Sequence, residues 1–213
     1  MIKEELQAID TVTDTMFDTV IQNMDAAFSY TLSSCKEDRT FAIDDDKVNE
    51  YERIVESLSL QLLLKETVYS QDFRRVSGIL KLVESLERIG DNAYDIKGMA
   101  DDLKRTNGKL LPGSEELFAL AESMVKDSYK AFLTMNLSLA KSVLDRDSQA
   151  DKRYWSLEMD LAKALDGKKE SGENGIYLAH IYKYGERIGD QATNIAEWVI
   201  YIASGIHKNR EII

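Results

Sequence analysis

Glu87-Arg88-Ile89-Gly90-Asp91 recurs, letter for letter, as Glu186-Arg187-Ile188-Gly189-Asp190, 99 positions further along the chain. The flanks agree as well. Ala93 and Ile96 correspond to Ala192 and Ile195, and Asp95 corresponds to Asn194. A five-residue identity set in aligned flanks, in a chain of 213 residues, marks two copies of one supersecondary unit. Each copy carries the same polar device, so one observation bears on both architecture and function.

Around the repeat, apolar residues recur at spacings of three and four with no sustained alternation, which predicts an all-α chain. Proline appears once, at Pro112, so long helices meet almost no interruption. The strongest break joins Thr106-Asn107-Gly108 to Leu111-Pro112-Gly113-Ser114, with Ser114 expected to cap a helix ahead of Glu115 and Glu116. It divides the chain into repeats spanning 1–107 and 108–213. Further breaks are expected from Lys36 to Arg39, from Val68 to Ser70 with Ser70 as a cap, from Asn136 to Leu139, and through a loop from Gly167 to Gly175. The prediction is three helices per half: two tandem three-helix bundles related by internal duplication, with the motif in helices three and six.

Composition narrows the partners. A formal net charge of −11 argues against a sequence-independent grip on nucleic acid and against anionic lipid, and suits docking on a basic protein patch. Cys35 is the single cysteine, so no intrachain disulfide can form and a reducing compartment is permitted. The N-terminal stretch lacks the apolar run of a secretory signal. The longest apolar run of note, Trp198 to Ala203, falls far short of the roughly 18 residues of a membrane span. A cytoplasmic location is expected.

Residues four apart on a helix are offset by about 40° and rise about 6 Å, so Glu87, Asp91 and Asp95 form one stripe. Glu186, Asp190 and Asn194 form its copy. The apolar stripe of helix three (Val76, Ile79, Val83, Leu86, Ala93) points elsewhere. Like charges at this spacing cost a few tenths of a kcal/mol per pair. No Lys or Arg stands at the intervening i+4 places, and Arg88 and Arg187 offset Asp91 and Asp190 only partly. Upstream, Asp44-Asp45-Asp46 with Asn49 and Glu52 matches Asp145, Asp147 and Asp151; Asp45/Asn49 and Asp147/Asp151 share the i, i+4 spacing. In an antiparallel bundle the middle helix lies beside the third, so two carboxylate stripes face each other and need a cation between them. Oxygen-only ligands suit Mg²⁺, Ca²⁺, Mn²⁺, Fe or Zn²⁺. A single E-x-x-x-D in an acidic protein is ordinarily a solvated face; its duplication with paired upstream acids favours a metal or polar recognition surface. Gly90 and Gly189, each costing about 1 kcal/mol in a helix, suggest close packing at the motif.

The two E-R-I-G-D pentapeptides, with Asn194-Ile195-Ala196-Glu197 following the second, closely resemble the PhoU family of phosphate-signalling proteins. The resemblance runs over essentially the whole chain. It implies a cytosolic negative regulator, often a homodimer, linking a Pst-type phosphate ABC transporter to a PhoR-type sensor histidine kinase. It also implies multinuclear iron or zinc, with Mn or Mg as alternatives, on surfaces carried here by Glu87, Asp91, Glu186, Asp190 and Asn194, with Asp45, Asn49, Asp147 and Asp151 as partners. The approach to helix three departs from the family: Val68-Tyr69-Ser70-Gln71-Asp72-Phe73-Arg74 lacks the usual proline and has Phe for Leu. A paralogue serving another transporter therefore stays open.

Other chemistry is thinly represented. His180 is expected on the side of helix six away from the stripe, and His207 lies in the tail. No Glu-x-x-His pair, phosphate-binding glycine loop, Ser-His-Asp set or zinc signature is present. The aromatics Tyr177, Tyr182, Tyr184, Trp198 and Tyr201 are expected in packing. A catalyst wants a group poised near neutrality, and the sequence shows none. The expectation is a non-enzymatic, metal-binding regulator without nucleic-acid contact or membrane insertion. A carboxylate-bridged metal-dependent hydrolase and a metal-free helical scaffold are the alternatives.

Overall fold

A computed structural model describes residues 2–33, 43–65 and 69–208, and the backbone of 210–211. Six helices follow in order: α1 (Ile2–Leu32), α2 (Asp45–Leu63), α3 (Ser70–Arg105), α4 (Ser114–Thr134), α5 (Leu137–Asp166) and α6 (Gly172–Ser204). Helices α1, α2 and α3 pack on one another, and α4, α5 and α6 do the same, giving the duplicated bundles that the repeat requires. The predicted stripe of α3 is wholly buried at Val76, Ile79, Val83, Leu86 and Ala93. The expected break from Lys36 to Arg39, Val68 and Cys35 lie outside the described residues.

Several boundaries differ from expectation for local reasons. Ser70 is the first residue of α3 and Tyr69 its N-cap, with no side-chain cap bond. At α4 the N-cap is Gly113, held at φ 91, so Ser114 falls inside the helix. Its hydroxyl donates to the Leu111 carbonyl at 2.7 Å. The Gly167–Gly175 stretch is shorter as a loop than its composition suggests. Ser171 accepts from the Asn174 N–H at 3.1 Å, and this cap starts α6 at Gly172 despite two glycines in its first turn. Past Gly205, in left-handed geometry at φ 80, a two-residue antiparallel ribbon pairs β1 (Ile206–His207) with β2 (Arg210–Glu211). It is the only departure from an all-helical chain among the described residues.

Periodicity did not reveal how the bundles join. They share one continuous core, with α3 against α6 and α1 against α4. Phe17 stacks on Tyr129 at 4.4 Å and on Phe132 at 5.6 Å between ring centroids, and Phe28 stacks on Phe118 at 4.6 Å. Such pairs add about 0.5–1.5 kcal/mol each beyond burial. Lys126 of α4 reaches Asp25 of α1 at 2.8 Å. Buried Tyr182 accepts the Leu111 N–H at 2.9 Å, fixing the inter-repeat linker on α6.

The tightest approach along the α3–α6 seam is at Gly78, where an added Cβ would collide with Ile202 Cγ1 and Cδ1, the latter at 2.8 Å. The motif glycines behave differently, contrary to the sequence reading. A Cβ on Gly90 would meet Val48 Cγ1 at 3.4 Å, and one on Gly189 would meet Ala150 Cβ at 3.6 Å. Both are ordinary contacts. Gly78→Ala is therefore expected to cost about 1–3 kcal/mol through overpacking. Gly90→Ala and Gly189→Ala should be neutral or stabilising by up to about 1 kcal/mol, from helix propensity. Urea unfolding of the three variants checks the ranking.

Candidate metal centre

At the start of α2, Asp44 is spent on capping: its Oδ1 accepts the Lys47 N–H at 3.2 Å. That starts the helix so that Asp45, Asn49 and Glu52 share a face, at i, i+4 and i+7. Asn49 Nδ2 donates to Asp45 Oδ2 at 3.3 Å. Asp45 Oδ1 is buried with no hydrogen-bond partner. Across the helix pair, α3 brings Glu87 and Asp91 to this group. Burial holds the Asp45 carboxyl above its usual range, and the Asp91 and Asp46 charges add to the rise. Glu87 is pushed up to about 7, by burial first and then by Asp91 and Glu52. Glu52 is also raised, by burial and by Glu56, Glu84 and Asp91.

The second half repeats the arrangement between α5 and α6. Asp151, Glu186 and Asp190 each place a carboxylate oxygen within 4.8 Å of the others. Asp147 Oδ1 is buried and without a partner, as is Asp45 Oδ1 at the matching helix position. Burial raises Asp147, helped by Asp151, Glu186 and Glu197. Asp190 is pushed up to about 6 by burial, then Glu186 and Asp147, against the opposing charge of Lys183. Glu186 is only 8% exposed. Both its oxygens accept from Lys183 Nζ at 2.7 Å, and that ammonium lies 4.9 Å from the Tyr154 ring centroid.

Each half thus brings carboxylates of two helices near one another and leaves a buried oxygen orphaned, and among the described residues three of them converge within 4.8 Å in the second half alone. An orphaned buried carboxylate oxygen is costly, and it is the donor that a hard or borderline cation would satisfy. In the second half the Lys183 ammonium already stands in for such a cation. The residues present fit a metal.

A PhoU domain matches residues 13–97 and again residues 115–199. The chain belongs to the PhoU family. It is 30% identical over 166 residues to the phosphate-specific transport system accessory protein PhoU homolog of Clostridium acetobutylicum, covering 76% of this chain and 74% of that one. The Pseudomonas aeruginosa homolog is 30% identical over 164 residues, covering 76% and 67%. Among solved structures, the phosphate transport system regulatory protein PhoU from Streptococcus pneumoniae matches with a TM-score of 0.85 at 25% identity, covering 97% of this chain and 98% of that one. PhoU from Pseudomonas aeruginosa matches with a TM-score of 0.75 at 25% identity, covering 96% of each.

Within this PhoU fold, Glu87, Asp91, Asp45 and Asn49 come together, as do Glu186, Asp190, Asp147 and Asp151. Asp95 and Asn194 lie outside these two groups. Asp95 lines a cavity of about 410 Å³ on the α3–α6 seam with Arg88, Asp91, Arg187 and Asp190, where its charge helps raise the partly buried Tyr184 hydroxyl. Asn194 donates to Gln191 at 3.5 Å. The arginines do not make the offset expected of them: Arg88 turns back to Glu84 at 2.6 Å, and Arg187 lies over the Tyr184 ring. Exposed His180 stacks on Tyr184, and His207 stacks on Trp198, so neither joins the acids. Three contributors were missed: Lys183, Tyr154 and Glu197. Lys183 had a signal, since the 99-residue alignment sets it against Glu84, a reversal of charge beside the motif.

Proposed function

We propose that this PhoU-family protein is a non-enzymatic regulator of phosphate uptake and phosphate-responsive signalling. It would work by contact with a phosphate ABC transporter and a sensor histidine kinase, in the cytoplasm and as a homodimer. The carrying observation is the duplicated crossing of carboxylate helices, each with an orphaned buried oxygen, in a chain whose relatives are named for phosphate-specific transport. Asp45, Asn49, Glu87 and Asp91 would hold metal in one half, and Asp147, Asp151, Glu186 and Asp190 in the other, as Fe or Zn in a multinuclear site or as Mn or Mg. Bound ions would cancel the repulsion between facing acids and fix α2 on α3 and α5 on α6. Among the described residues no helix is long and apolar enough to cross a membrane, which suits a protein that docks on membrane machinery. Exposed Trp155, Met159 and Ile176, around an apolar groove of about 450 Å³ between α5 and α6, add a surface for contact.

Deleting the gene is expected to change phosphate uptake or phosphate-responsive transcription, with Glu87→Ala or Glu186→Ala reproducing part of the effect. Docking of so acidic a protein on basic loops should weaken as salt rises. Unchanged phosphate physiology in the deletion strain would contradict the proposal. One observation favours the hydrolase alternative: Glu87, held near 7, is the poised group that the sequence did not reveal. Turnover of phosphate esters or polyphosphate by metal-loaded protein, abolished by Glu87→Gln, would establish that reading instead.

A further inference from the structure

We infer that the two carboxylate sites load unequally, because Lys183 is ion-paired within the second site and, among the described residues, no ion pair engages the acids of the first. The inference rests on the metal-binding reading above. Lys183 Nζ donates to both oxygens of Glu186 at 2.7 Å and lies against the face of Tyr154, so it is held from two sides. Glu186 is one of the three carboxylates that converge within 4.8 Å. A cation entering there must first displace the ammonium from an almost wholly buried partner. At the aligned position the first half carries Glu84, whose charge adds to that of Glu52 and is itself paired with Arg88 at 2.6 Å. Among the described residues no ion pair engages Asp45, Glu52, Glu87 or Asp91, so no paired ammonium or guanidinium need leave when a cation arrives.

Loading is therefore sequential: the α2–α3 site fills first, and the α5–α6 site fills at higher metal, with Lys183 swinging off Glu186. The sequence difference Glu84 against Lys183 turns a symmetrical duplication into two sites of different affinity. Such a pair reads metal over a wider concentration range than two equal sites could.

The test is a Mn²⁺ titration of chelator-stripped, full-length protein, followed by calorimetry and by the electron paramagnetic resonance of free Mn²⁺. The wild type is expected to show a tight class removed by Glu87→Gln and a weak class removed by Asp190→Asn. Lys183→Met should tighten the weak class about tenfold or more and leave the tight class unmoved. Glu84→Lys, at a half-exposed position that should not disturb folding, should install the same counterion in the first half and weaken the tight class. Equal classes in the wild type, an unmoved weak class in Lys183→Met, or both classes shifting alike through general charge would overturn this inference while the metal reading stands. A wild type that binds no Mn²⁺ would overturn both.

Discussion

Stripped of metal, the protein is expected to be more stable at pH 5 than at pH 8. Glu87 rises from 4.5 to about 7 on folding, and Asp190 from 3.8 to about 6, each because burial and neighbouring carboxylates disfavour its charge. A folded pKa above the unfolded value means that the native state keeps protons which the unfolded chain has already released. Their contribution to stability is complete below about pH 4 and is lost as pH climbs through 6 and 7. This is the reverse of the usual carboxylate, which is stabilised by ionising. Both side chains are partly solvated, so after discounting for screening the combined loss is about 1–3 kcal/mol. Glu87→Gln with Asp190→Asn should flatten the profile and raise metal-free stability at pH 8. Denaturant unfolding in chelator at pH 5, 6, 7 and 8 decides it. A profile that rises toward pH 8, or one that the double variant leaves unchanged, would show that these carboxyls are solvated and unstrained.

Metal should then reverse that loss, with the larger effect at the higher pH. An ion that binds only the folded state stabilises it by about 2.7 kcal/mol at a hundred times its dissociation constant. For a chain of this size that corresponds to a rise of about 5–11 °C in thermal midpoint. The gain should be greatest at pH 8, where the acids are ionised, and small at pH 5, where protons compete for the same oxygens. Asp91→Asn and Asp190→Asn should each cut the response, while slightly raising the midpoint of the metal-free protein. Scanning calorimetry with and without Mn²⁺, Fe²⁺ or Zn²⁺ at the two pH values checks the prediction. Identical midpoints in every condition would sink it.

The duplication and the helix count were readable because they rest on local signals: the repeated pentapeptide, three-and-four apolar spacing, and the cluster around Pro112. The facing of Asp45 on Asp91, and of Asp147 on Asp190, followed from antiparallel connectivity and i, i+4 spacing. What escaped the sequence was set by tertiary contact. The α3–α6 seam depends on Gly78 fitting beneath Ile202, and neither residue looks unusual in its own helix. Asp95 continues the stripe of Glu87 and Asp91 on paper. A 40° drift per four residues nevertheless carries it round α3 to the seam and Tyr184. Lys183 stands three residues before Glu186, where a helix places a cation as close as one four residues on, and no periodicity in the acids marks it. The capping roles of Ser70 and Ser114 shifted by one residue because Tyr69 and Gly113 already supply the extended and left-handed backbone that ends a loop.

If the duplicated carboxylate crossings are cation sites, metal content shows it most directly. Protein purified without chelator and dialysed against Mn²⁺, Fe²⁺ or Zn²⁺ would be compared by elemental analysis with the combined Glu87→Gln, Asp91→Asn, Glu186→Gln, Asp190→Asn variant. The wild type is expected to keep at least one ion for each repeat, and the variant, still folded, to keep almost none. A wild type that retains no metal under any of these conditions, or a variant that retains as much, would show the acidic crossings to be ordinary solvated faces.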